Sequence, residues 1–253
     1  MQEATSMTLL PLSFEDQAQQ FWFYGQIFVF FFLVVCFIMM LQMKRKTDME
    51  SQKAFHHGFA WFIFTTIIAQ GLFLLEETWG FAGNGDLLPR FIRIGGTGYE
   101  YTIFICFAFG FIFLMKPIEM YILNKDKLRI TALNKVAAVC VTVPYVCSAI
   151  YHPAGWIEIW TLIAYPGIAV FAIAALFSMF GSFLFYIRLG IRGTGSIKRK
   201  GYLIGFGIIL MYIALLAGSQ VASDIGGWAG AILGPGVMIL GSLMVIVGHR
   251  IEM

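Results

Sequence analysis

Seven apolar stretches, near residues 21 to 43, 58 to 75, 101 to 115, 136 to 150, 157 to 187, 202 to 218 and 228 to 248, leave this chain almost no sequence from which to build a water-soluble core. Each approaches or exceeds the roughly 20 residues a helix needs to cross a hydrocarbon layer about 30 Å thick. Within a bilayer the backbone must satisfy its own hydrogen bonds, so long uninterrupted apolar runs read as helices. The charged fraction of 12% is about half that of an ordinary soluble domain. The expectation is an all-α, polytopic integral membrane protein: a seven-transmembrane-helix bundle in one domain, residues 21–250. A short segment, 1–20, precedes it and a tail, 251–253, follows.

The positive charges segregate. Lys44, Arg45, Lys46 and Lys53 fall in one connection; Lys116, Lys125, Lys127, Arg129 and Lys135 in the next but one; Arg188, Arg192, Lys198, Arg199 and Lys200 in the next but one again; Arg250 stands at the end. The opposite connections hold Arg90 and Arg93 alone. Positive charge marks cytoplasmic loops, which predicts an outside N-terminus and a cytoplasmic C-terminus. The first 20 residues carry Glu3, Glu15 and Asp16 but no Lys or Arg, so they lack the basic start of a cleavable signal peptide and the first span is expected to be retained. The expected location is the cell membrane. The net charge of +3 reflects topology and anionic-lipid contact rather than a nucleic-acid surface. The four cysteines, Cys36, Cys106, Cys140 and Cys147, all fall within predicted spans and read as packing residues.

Two features distinguish the last two spans. Gly201 and Gly205, and again Gly230 and Gly234, stand four residues apart, the small-xxx-small spacing that lets membrane helices approach closely, toward another span or a second copy of the chain. Pro235, between Gly234 and Gly236, removes the N–H that would bond the carbonyl of Ala231. A kink is expected there, or a helix break of the kind that forms transport sites. Pro117, in Met115-Lys116-Pro117-Ile118-Glu119, is expected to end or bend the third helix. The connection at 76–98 mixes Leu87, Leu88, Phe91, Ile92 and Ile94 with Arg90 and Arg93 and is expected to lie along the membrane or fold over the bundle.

The centres of all seven spans lack Asp, Glu, Lys, Arg and His, which argues against proton relays and ion-coupled pumping through a midplane carboxylate. Ionisable side chains gather instead toward the outer ends: Glu76, Glu77, Glu100, His152, Glu158 and Asp224, with Arg90 and Arg93 nearby. Glu100, Glu158 and Asp224 open helices, where the dipole stabilises carboxylates, and Thr97 with Glu100 fits a capping box. Glu76 and Glu77 close a helix, where the dipole opposes them. Their compensation must come from Arg90 or Arg93, or from a cation held with His152. The candidate ligand site is therefore Glu76, Glu77, His152, Glu158 and Asp224 with Arg90 and Arg93. His56 and His57 are expected at the cytoplasmic interface, and His249 with Arg250 at the last turn of the seventh helix, where cations suit the dipole.

Neither common seven-helix pattern is met. Retinal proteins require a lysine in the seventh span, and residues 226 to 248 contain none, so no retinal or other cofactor is expected. Rhodopsin-like receptors carry Asp/Glu-Arg-Tyr after the third span and Asn-Pro-x-x-Tyr in the seventh; Met115-Lys116-Pro117 and Gly234-Pro235-Gly236 stand here. No catalytic set is present, and Gly95-Gly96-Thr97-Gly98 lacks the Lys and Ser/Thr of a phosphate loop. The expected role is a receptor-like sensory or small-ligand-binding module with no fused output domain, signalling through a separate cytosolic or membrane partner. The alternatives are a transporter or channel for a neutral or weakly charged solute and a structural subunit of a membrane complex.

Overall fold

The computed structural model describes residues 14–79, 99–121, 128–150, 156–216 and 228–251. Among them the chain is all helical: α1 (Phe14–Lys46), α2 (Glu50–Trp79), α3 (Tyr99–Tyr121), α4 (Arg129–Ile150), α5 (Trp156–Arg192), α6 (Gly195–Leu216) and α7 (Trp228–Arg250). Five of these, α1, α3, α4, α5 and α7, are long and apolar enough to cross a membrane. The segment 80–98, with its expected interfacial or lid-like connection, lies outside the described residues.

Each helix packs on its neighbours in sequence, α7 returns to α1, and α3 also touches α5. The result is a closed ring of seven. Lys44, His56, Lys200 and His249 converge at one end, called the basic end here. The helices are apolar on both faces. In α1, Val29, Leu33, Cys36 and Met40 are buried, while Phe28, Phe31, Val35 and Ile38 face outward. In α5 small residues (Ala164, Gly167, Ala174, Ser178, Ser182) line the inward face around the rings of Phe171 and Tyr186, and the bulky Leu162, Ile173, Phe177 and Leu184 point out. That inversion suits a bilayer, where lipid solvates large side chains and close van der Waals packing between small ones holds helices together.

Proline and glycine act in pairs. Pro117 lies inside α3 and Pro144 inside α4, and each removes the N–H that would bond the carbonyl four residues earlier, Phe113 and Cys140 respectively. In both cases a glycine on the adjoining helix covers that carbonyl. A Cβ on Gly58 would lie 2.5 Å from the Phe113 oxygen, and one on Gly167 would lie 2.5 Å from the Cys140 oxygen. Of the two outcomes expected at Pro117, an end or a bend, the end does not occur. The helix continues to Tyr121 because the freed carbonyl faces glycine backbone, a contact of the weak Cα–H···O type.

The continuation buries Glu119. Its Oε1 accepts from the Ile130 N–H at 2.7 Å, and its Oε2 accepts from the Thr131 N–H at 2.7 Å and the Thr131 hydroxyl at 2.6 Å. A side chain at the end of α3 thus caps the start of α4, satisfying donors that no intrahelical carbonyl can reach.

Glycines also set the approach of the last three helices. A Cβ on Gly201 would lie 2.5 Å from the Gly190 nitrogen of α5; Gly207 and Gly241 abut reciprocally, so that a Cβ on either would lie 2.7 to 2.8 Å from the other's carbonyl oxygen. Gly201 and Gly205 pack as the small-residue spacing predicts, against Tyr186, Ile187 and Gly190. Gly234 and Gly236 have open space where a Cβ would stand. α7 is helical through Gly234-Pro235-Gly236, and the Pro235 ring packs on Gly25, closing the ring between α7 and α1.

Buried polar side chains join helices pairwise. Gln70 donates to Gln26 at 2.8 Å between α2 and α1, and Asn134 donates to the Ser178 hydroxyl at 2.8 Å between α4 and α5. Aromatic rings fill the centre. Tyr212 of α6 meets Phe62 of α2 at 6.0 Å and Phe111 of α3 at 5.6 Å, and Phe111 stacks on Phe171 of α5 at 6.3 Å.

Candidate functional site

A polar cluster gathers at the basic end, and α2 supplies two histidines to it. Successive helical residues diverge by about 100°. Gly58 seats α2 against α3, which turns His56 and Phe59 into the bundle and His57 and Trp61 outward. A Cβ on Gly248 of α7 would lie 2.6 Å from Ile204 Cγ1 of α6, so the next residue, His249, is carried inward beside the start of α6.

His56 and His249 meet with ring centroids 5.1 Å apart and planes at 71°. Phe59 packs edge-on against His249 at 4.7 Å, and Tyr186 of α5 lies 6.3 Å from Phe59. Both histidines are buried, and neither His56 Nδ1 nor His249 Nε2 has a hydrogen-bond partner. His56 bonds the backbone of Met43. An unpaired buried polar atom of this kind costs about 1–3 kcal/mol. The sequence places these rings at a solvated interface; the structure buries two of the three and leaves them short of partners, because Gly58 seats α2 on α3 and Gly248 seats α7 on α6.

Burial and the positive charge of Lys200 push the His56 pKa down from 6.5 to about 4. Burial also lowers the Lys200 pKa. The groups facing His56 are His249 and Lys200, together with the Met43 carbonyl. Between pH 6.5 and about 4 the unfolded chain takes up a proton at His56 that the folded chain refuses. Stability is therefore full above that window and falls as the solution is acidified through it, by about 1.4 kcal/mol for each unit of depression. Thermal melts of the full chain in detergent should show a lower Tm at about pH 5 than at about pH 7.5, and His56→Asn should lessen the difference. Equal slopes in the two proteins would contradict this burial.

His57 faces outward between two donors. Lys44 Nζ lies 3.0 Å from Nδ1, and the Trp61 indole N–H donates to Nε2 at 3.1 Å. A neutral imidazole offers one acceptor, so it accepts from only one of them at a time. Burial, Lys44 and Lys116 together lower its pKa.

Of the residues expected at the outer end, Glu76 and Glu77 lie in the last turn of α2 and Glu158 in the first turn of α5, with side chains outside the described residues; His152, Asp224, Arg90 and Arg93 lie outside them altogether. Among the described residues no group of three His, Cys, Asp or Glu side chains is arranged to hold a metal. All four cysteines are free. The residues that sequence reasoning did not single out are Glu119, Gln26, Gln70, Asn134 and Ser178. Their signal was available only as polar residues within or beside apolar spans, a recurrent mark of interhelical hydrogen bonding.

Geometry and composition define the class of the molecule as a helical membrane bundle. Comparison of the chain with protein-family models, with curated proteins and with solved structures finds no match.

Proposed function

We propose that this chain is a receptor-like module of seven spans, with its N-terminus outside and its basic end in the cytosol. A small ligand or cation binds the outer end near Glu76, Glu77 and His152, and a shift of α6 and α7 carries the event to a cytosolic or membrane partner. The observation that carries the reading is the contact between His56 and His249, both buried, with Nδ1 of the first and Nε2 of the second unpartnered, at the opposite end of α2 from Glu76 and Glu77. Unsatisfied buried nitrogens raise the energy of this packing. A second arrangement in which α7 moves and the rings hydrate is then close in free energy, which is what a switch requires. The aromatic centre formed by Phe62, Phe111, Phe171 and Tyr212 favours a packed bundle over a conduit. At the outer end, Glu76 and Glu77 close α2 against its dipole, so a bound cation lowers their energy.

The test uses the full chain in lipid nanodiscs. Calcium or zinc should raise its Tm, and Glu77→Gln combined with His152→Ala should remove the rise. Solute flux through proteoliposomes that Pro235→Ala abolishes would replace the reading with transport. Cysteine labelling that places both termini on one side would overturn the orientation.

A further inference from the structure

A second cationic cluster lies on the outside of the bundle, where α1, α2 and α3 meet at the basic end. Lys44 closes α1, His57 opens the outward face of α2, and the exposed Lys116 of α3 lies near enough for its charge to act on His57. Among the described residues the ion pair is Lys53 with Glu50, so neither Lys44 nor Lys116 is neutralised by a carboxylate. The donors are also in excess. Lys44 and the Trp61 indole both point at one ring that can accept from one of them.

Below these charges runs an aromatic wall. Trp61 stacks on Phe113 at 5.2 Å and meets Phe64 edge-on at 5.4 Å, and Phe64 meets Phe37 at 5.5 Å. Trp61 is 37% exposed, and Ile68, two turns further along the same face of α2, is 39% exposed. Trp is the side chain that membrane proteins favour at the depth of the lipid headgroups.

We propose that this face binds one anionic phospholipid. Its phosphate sits between Lys44, Lys116 and His57, and an acyl chain lies along Trp61, Phe64 and Ile68. A phosphate oxygen resolves the excess of donors: it takes the Lys44 ammonium, His57 turns its Nδ1–H toward the phosphate, and Nε2 keeps the Trp61 bond. A water-soluble phosphate would use the cations but not the wall beneath them, which is why the lipid is the occupant. The site depends only on the chain being a membrane protein and is independent of any outer ligand.

Trp61 reports on its own site. In nanodiscs of matched composition, brominated phosphatidylglycerol should quench the fluorescence difference between the wild type and Trp61→Phe more strongly than brominated phosphatidylcholine does. Lys44→Gln and Lys116→Gln should each reduce that preference about fivefold, the effect of one basic residue near an anionic surface. Lys44→Arg should keep most of it. Lys116 is exposed, so its variant removes charge without disturbing packing, and equal Tm values verify that the fold is kept. Equal quenching by the two lipids, or a preference unchanged in the glutamine variants, overturns the proposal. Relief of the quenching by millimolar inorganic phosphate would also overturn it, by assigning the site to a soluble anion.

Discussion

Replacing Gly207 by valine is expected to abolish the stable fold or lower the Tm of the full chain more than any substitution on the lipid-facing surface. A Cβ at this position would stand 2.7 Å from the Gly241 oxygen and 2.9 Å from the Val245 nitrogen. Both are backbone atoms of α7, which can yield only if the whole helix moves. Overpacking in a well-packed interior costs about 1–3 kcal/mol even where side chains can adjust. Here they cannot, and the loss should reach or exceed the top of that range. It should be shared by Gly241→Val, because the contact is reciprocal: a Cβ on Gly241 would lie 2.8 Å from the Gly207 oxygen. Gly236→Ala is the matched control, since nothing lies within 4 Å of its added methyl group. If Gly207→Val purified in good yield and melted with the wild type, the α6–α7 crossing described above would be wrong.

Glu119→Ala should have the next largest effect. It strips the acceptor from the Ile130 and Thr131 N–H groups and from the Thr131 hydroxyl. Capping residues contribute about 0.5–2 kcal/mol, and hydrogen bonds to a charged partner about 1.5–3 kcal/mol. With Thr131 buried and unable to recruit solvent, the combined cost should come to about 2–4 kcal/mol. Glu119→Gln should recover only part of it. One side of the amide would still accept, but its NH2 would oppose an N–H. Hydrogen exchange gives a local reading that global stability does not. The Ile130 and Thr131 amides should lose protection in Glu119→Ala before the rest of α4 does. Unchanged protection there would refute the cap.

Much of the helical layout was legible from composition and spacing. The seven expected spans correspond in order to seven helices, five of them long and apolar enough to cross a membrane, and the structure extends them mainly at the basic end, where α1 runs to Lys46, α2 starts at Glu50 and α5 reaches Arg192. The divergence of adjacent helical residues likewise separates His56 from His57, whose contacts lie on opposite sides of α2. Other features were not legible. Both faces of α1 and α5 are apolar, so periodicity does not tell the packed side from the lipid side. Of the two small-residue spacings, the one at Gly201 and Gly205 makes helix contacts, whereas Gly234 faces open space and Gly241, outside either pair, meets the α6 backbone. Pro117 reads as an end or a bend in isolation, and only the structure shows the helix running on past it, with Gly58 covering the carbonyl it frees. The buried histidine pair was not legible, since its members belong to helices far apart in the sequence.

Taken alone, the amino-acid order determined that this polypeptide is helical and belongs in a bilayer, because the length and polarity of each segment are local quantities that water and lipid judge one segment at a time. Tertiary structure decided which glycines let backbones touch, which carboxylate caps which helix and which histidine is buried. Each of those depends on what a distant helix places within about 3 Å, and no local pattern encodes that distance.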